Sequence, residues 1–137
     1  MIRVTVPAST ANLGAGFDTL GLALTMHFEA GLATAQLPNN ARVCDQHHPA
    51  SIAFAQAGGS GGLWSRDGIP MGRGLGFSGA ARVAGALLAI AQRGGVVAAN
   101  SLEARLDAFR VAAELEGHPD NAAASALGGL TVAVGGR

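Results

Sequence analysis

Apolar and polar residues alternate at the start of the chain, with Ile2, Val4 and Val6 on one side and Arg3 and Thr5 on the other. A period of two predicts a half-buried β-strand, and Pro7, which has no N–H to give a ladder, is expected to stop it. The next apolar stretch, around 20–28, predicts a second strand or a short helix after a polar, glycine-rich loop. Residues 29–50 are weakly patterned, with a turn at "LPNN". "ASIAFAQAGG" predicts a short helix closed by glycine, "GGSGG" at 58–62 the most flexible segment, and "LWSRDGI" a strand.

Helical spacing is clearest further on. From Ser78, the positions Val83, Leu87 and Ile90 fall at helical intervals with Ala80, Ala84 and Ala91 beside them, and Gly94-Gly95 is expected to end the run. Asn100 and Glu103 predict an N-cap pair for another helix, with Leu102, Leu106, Phe109 and Ala113 on one face and Gly117 before Pro119 as its stop. "NAAASALGG" predicts a short helix and "LTVAV" a last strand. Strands and helices are mixed without an internal repeat, so an α+β fold is expected.

Composition narrows the function classes. A chain of 137 residues fits one domain with a real core. No window reaches the ~18 uninterrupted apolar residues of a membrane span, and no apolar leader follows Met1, so a soluble cytoplasmic protein without a membrane partner is expected. Cys44 is the one cysteine, which excludes an intrachain disulfide. The net charge is zero, and all nine basic residues are arginines. The basic stripe of a nucleic-acid binder and the lysine of a Walker-type loop are both missing. "CDQHHP" brings together Cys44, Asp45, His47 and His48, but at a spacing that matches no common zinc frame, so a solvated loop is expected there.

Three segments carry chemistry. In "IPMGRGLGFSGAA", Gly72, Gly74 and Gly76 precede a helix at Ser78. Glycine costs ~0.5–1 kcal/mol in regular structure, so the cluster suggests either a tight turn or a loop whose N–H groups wrap an anion at a helix N-terminus. Ser78 would stand at the mouth, where its hydroxyl could reach Mg²⁺ on a nucleotide. In "VPASTANLGAGFDTLGLAL", Asn12 and Asp18 lie on a constrained loop, where they could grip an ammonium or a hydroxyl, or serve only as turn residues. "ELEGHPDNAAASALGG" concentrates Glu116, His118, Asp120 and Asn121. The macrodipole disfavours Glu116 at a helix C-terminus, an effect that a nearby cation would offset. Gly117, Pro119 and Asp120 could equally be a helix stop followed by a cap.

"PMGRGLGFSGAA" resembles the phosphate-binding motif of the GHMP kinases, Pro-x-x-x-Gly-Leu-Gly-Ser-Ser-small-Ala. Pro70, Gly74, Leu75, Gly76 and Ser78 stand where that pattern wants them, while Phe77 replaces its first serine. The resemblance implies that Pro70, Met71, Gly72, Arg73, Gly74, Leu75, Gly76, Phe77, Ser78, Gly79 and Ala80 hold the phosphates of ATP. The other two segments are similar to signatures of the homoserine kinase branch. They imply substrate contacts at Asn12, Asp18 and Asn121, with His118 and Asp120 lining the same pocket, and Mg²⁺ held by Ser78 and Glu116. The implied fold is the family's N-terminal, ATP-binding lobe over 1–137, resembling a ribosomal-protein-like domain with a left-handed βαβ unit, without the C-terminal lobe that follows in the family. The implied reaction is ATP-dependent phosphorylation of the L-homoserine side-chain hydroxyl in threonine biosynthesis, with no general base assigned. The other reading is an incomplete or non-catalytic lobe that holds nucleotide or a protein partner. No nucleic-acid partner is expected, and a homodimer that covers the face of the second lobe stays open.

Overall fold

β1 (Arg3–Ala11) does not stop at Pro7. In a computed structural model, which describes residues 2–11, 13 and 20–133, β1 pairs antiparallel with β2 (Leu20–Leu32), and the register jumps where Pro7 faces His27 but Ser9 faces Ala23. The ladder breaks at the residue without an N–H and resumes beyond it. This continuation carries the strand from the core out to Ser9 and Ala11, beside the glycine loop.

The remaining elements are β3 (Arg42–Cys44), α1 (Pro49–Gln56), β4 (Leu63–Asp67), α2 (Phe77–Ala99), α3 (Leu102–Glu116), α4 (Asp120–Leu127) and β5 (Leu130–Val132). The sheet order is β1-β2-β4-β3, with β5 on β2. Every pairing among the described residues is antiparallel. β4 and β5 meet different ends of β2, and both run against it, so they point the same way with α2, α3 and α4 between them in the chain. The expected α+β fold is thereby met.

α2 organises the core. It packs against α1, α3, α4, β1 and β2, and Ala80, Ala81, Val83, Ala84, Ala86, Leu88 and Ala89 are wholly buried. A helix so apolar all round belongs inside. Its length and hydropathy alone would suffice to cross a membrane, but here the small residues serve close packing. A Cβ on Gly85 would stand 2.0 Å from the Ala50 carbonyl oxygen, so α1 and α2 touch through their backbones. The helical path breaks at Gly95, where φ is 86°, at the stop expected from Gly94-Gly95.

Other expectations shift by a few residues, each for a local reason. α3 is capped by Ser101, whose hydroxyl accepts from the Ala104 N–H at 3.1 Å. Asn100 stays in αR geometry and spends its side-chain amide on the Val96 carbonyl. Leu102, at the first helical position, is 66% exposed, and the buried face is Ala104, Ala108, Phe109, Ala112 and Ala113. The glycine run at 58–62 is tied down: Gln92 accepts from the Ser60 N–H at 3.0 Å and donates to the Ser60 carbonyl at 2.8 Å. The "CDQHHP" segment is divided, with Cys44 buried at the end of β3 and His48 capping α1.

Candidate functional site

Between β4 and α2 the chain passes through Gly72, Gly74 and Gly76, with φ at 71°, 69° and 70°. A β-carbon disfavours that left-handed region. Gly76 is also the N-cap of α2 and offers no side chain to it. The first intrahelical bond runs from the Ala80 N–H to the Gly76 carbonyl at 2.9 Å, which leaves the N–H groups of Phe77, Ser78 and Gly79 without an intrahelical partner. They sit at the positive end of the domain's central helix. A cleft of about 260 Å³ opens there, lined by Ala11, Pro70 to Gly72, Gly74 to Ser78 and Asn121. An uncapped helix end with close backbone approach is suited to an anion.

The loop is pinned from β1. The Ser9 N–H donates to the Leu75 carbonyl at 3.1 Å, and the Ser9 hydroxyl donates to Asn121 Oδ1 at 2.7 Å. Ser9 is wholly buried. A Cβ on Gly76 would meet its Oγ at 2.2 Å and Asn121 Oδ1 at 3.0 Å, so the contact closes only around glycine. Asp120 is buried, and its carboxylate accepts from the Asn121 N–H at 2.8 Å. The N-cap of α4 is Pro119, not Asp120, and Asp120 instead satisfies a free N–H of the first turn from the first helical position. Behind Asp120, a Cβ on Gly21 would stand 2.4 Å from the Asp120 carbonyl oxygen, which packs this turn onto β2.

Glu116 ends α3, and the cation that its position calls for is Arg82 of α2. Arg82 Nε donates to Glu116 Oε1 at 2.9 Å, with the two side chains 18% and 19% exposed. Arg82 lies one helical turn beyond Ser78, on the same face of α2. Ser78 lines the cleft, and Glu116 is reached from the same helix through Arg82.

Phe77 turns its ring into the core, 8% exposed. It meets Phe28 edge-on at 5.7 Å and His48 edge-on at 5.9 Å, while His48 stacks on Phe28 at 6.0 Å. Its backbone, not its ring, belongs to the helix end. His48 Nδ1 accepts from the Ala50 N–H at 3.1 Å. Burial lowers its pKa from the usual 6.5, against an upward pull from Asp67 and Asp45.

A larger cleft, of about 380 Å³, lies between β1, α2 and α4, and its lining includes Val4, Leu87, Arg105 and Ser125. None of the described chemistry-bearing residues expected from the sequence lines it. The glycine-loop cleft, though smaller, has the uncapped helix end together with Ser78 and Asn121.

The family model of the GHMP kinases N terminal domain matches residues 41–129. The chain belongs to the GHMP kinases. Among curated relatives, this GHMP kinase domain is 40% identical over 151 residues to a homoserine kinase of Clavibacter michiganensis, covering 96% of the chain and 46% of that protein. It is 37% identical over 156 residues to one of Rhodococcus erythropolis, with the same coverages. A solved structure carrying the name homoserine kinase, from Listeria monocytogenes, superposes with a TM-score of 0.72 at 35% identity, covering 96% of this chain and 49% of that one. The chain thus spans about half the length of the relatives it matches.

Within the GHMP kinase domain, the loop residues from Pro70, Ser78 at the second helical position and Asn121 converge on one cleft. Met71 and Arg73 are exposed on its outer turn, Gly79 and Ala80 are buried beneath it, and His118 is exposed between α3 and α4. Asn12 and Asp18 lie outside the described residues. The sequence motifs do not point to Ser9 and Arg82 as site residues. Ser9 lies within "VPAST", and Arg82 interrupts the apolar face of α2 one turn after Ser78, so each leaves a faint signal.

Proposed function

We propose that this domain is the nucleotide-binding half of a homoserine kinase, which transfers the γ-phosphoryl group of ATP to the side-chain hydroxyl of L-homoserine in the cytoplasm, on the route to threonine. The observation that carries the reading is the uncapped α2 N-terminus behind three left-handed glycines, opening on the cleft that also receives Asn121. Homology with homoserine kinases along nearly the whole chain supports the substrate.

Phosphoryl transfer asks a protein chiefly for positioning and charge neutralisation. The backbone from Pro70 to Ala80 would bind the phosphates through N–H groups and the helix field. Asn121, held by Ser9, would orient homoserine together with Asn12, Asp18 and His118, while Asp120 keeps the first turn of α4 in place. Ser78 and Glu116 offer an alcohol and a carboxylate. Hard oxygen donors of this kind suit Mg²⁺, which usually takes one or two carboxylates and completes its shell from phosphate and water. When bound, Mg²⁺ would neutralise phosphate charge. No side chain is assigned as general base.

The test is ADP release from the chain with Mg²⁺ and L-homoserine, beside threonine and mevalonate. Release that depends on homoserine alone supports the reading. Equal or greater release with either control contradicts it. Saturable ATP binding without release with any of the three would favour a lobe that holds nucleotide but lacks the groups for transfer.

A further inference from the structure

We infer that Arg82 is a built-in counter-cation that competes with the divalent metal for Glu116 and so sets the metal affinity of the site. The inference rests on the proposed role of Glu116 as a metal ligand and goes beyond it to a residue that neither the motif nor the relatives' names assign.

Three features of the structure support it. Glu116 is the last residue of α3, where the helix field disfavours a carboxylate. Its carboxylate is four-fifths buried and engaged by Arg82 through Nε at 2.9 Å. Arg82 stands one turn from Ser78 on the same face of α2, so the helix that carries the hydroxyl also carries the cation paired with Glu116. A carboxylate in this position needs a cation, and Arg82 supplies one without a metal. An incoming divalent ion must then take Oε1 from the guanidinium or share the carboxylate with it, against the repulsion of a fixed positive charge. Removing the guanidinium leaves a partly buried carboxylate without compensation. Such a group recruits the next available cation.

The consequence is a site that is electrically quiet until a nucleotide arrives. The phosphates bring enough negative charge to draw in the metal and to give Arg82 a second acceptor. Arg82 is thus a positioning residue, acting on the reaction through Glu116.

The experiment uses Mn²⁺ alone, titrated into the chain and followed by loss of the free-ion electron paramagnetic resonance signal. Arg82→Met is expected to tighten Mn²⁺ binding tenfold or more, Arg82→Lys to stay near the parent, and Arg82→Met/Glu116→Gln to lose the gain. An Arg82→Met chain with native circular dichroism and unchanged Mn²⁺ affinity would overturn the inference. If that result came with weakened binding in Glu116→Gln, the metal role of Glu116 would survive without it. Tightening that persists in the double variant would remove Glu116 as ligand and the inference with it. A second measurement needs no substitution: the Arg82 Nε–H resonance should shift when Mg²⁺ is added to the ATP-bound chain. A resonance unmoved at saturating Mg²⁺ would also overturn the inference.

Discussion

The Ser9 hydroxyl donates to Asn121 Oδ1 at 2.7 Å, joining residues 112 positions apart. The bond links the end of β1 to the first turn of α4, and the Ser9 N–H holds Leu75 in the loop at the same time. Removing the hydroxyl from a buried pair leaves the amide oxygen short of a donor, at a cost of about 1–3 kcal/mol. Ser9→Ala should lower unfolding stability by that order in urea titrations and weaken ATP binding. Unchanged stability together with unchanged ATP affinity would show that the bond does no positioning.

Gly76 and Gly72 share nearly the same φ but not the same surroundings. Nothing lies within 4 Å of a Cβ on Gly72, whereas one on Gly76 strikes Ser9 Oγ. Gly72→Ala should cost only the left-handed backbone, about 1–2 kcal/mol. Gly76→Ala should cost more, and part of the excess should vanish in Gly76→Ala/Ser9→Ala. Equal losses for the two single variants would contradict the contact.

Phe77 takes the place of a serine in the family's phosphate-binding motif, yet its ring fills the core between Phe28 and His48. Phe77→Ser would empty that space and bury a hydroxyl, with a loss on the scale of about 3–5 kcal/mol for deleting a core aromatic ring. Thermal unfolding should report a large drop. A neutral or stabilising effect would mean that the ring is not a core residue.

His48 ties stability to pH. Its folded pKa lies below the ordinary 6.5 because of burial, so the fold favours the neutral ring, whose Nδ1 accepts from Ala50. That contribution is complete above 6.5 and is lost as pH falls through the lower folded value. His48→Asn keeps a cap acceptor but does not titrate. Between about pH 7 and pH 5 the parent should therefore lose more unfolding free energy than the variant. Parallel pH profiles would refute it.

What could be read from sequence was local. The period-two start, the helix after Ser78, the break at Gly94-Gly95 and the stop at Gly117 follow from chain stiffness and side-chain spacing within one element. The missed features depend on what an element meets. Pro7 reads as a stop until β2 continues the ladder past it, and Leu102 reads as core until the packing of α3 on α2 and α4 turns Ala104, Ala108 and Ala112 inward instead. His48 reads as part of a solvated loop until α1 needs a cap. For Glu116 the helix field already asked for a cation, but only the packing of α2 on α3 identifies it as Arg82.

The most direct test of the central claim is a titration of the ¹⁵N-labelled chain with Mg·ATP, followed amide by amide. Saturable shifts should be greatest from Gly72 to Ala80 and at Asn121. Shifts centred instead on the cleft beside Arg105 and Ser125, with the loop amides unmoved, would contradict phosphate binding at the head of α2.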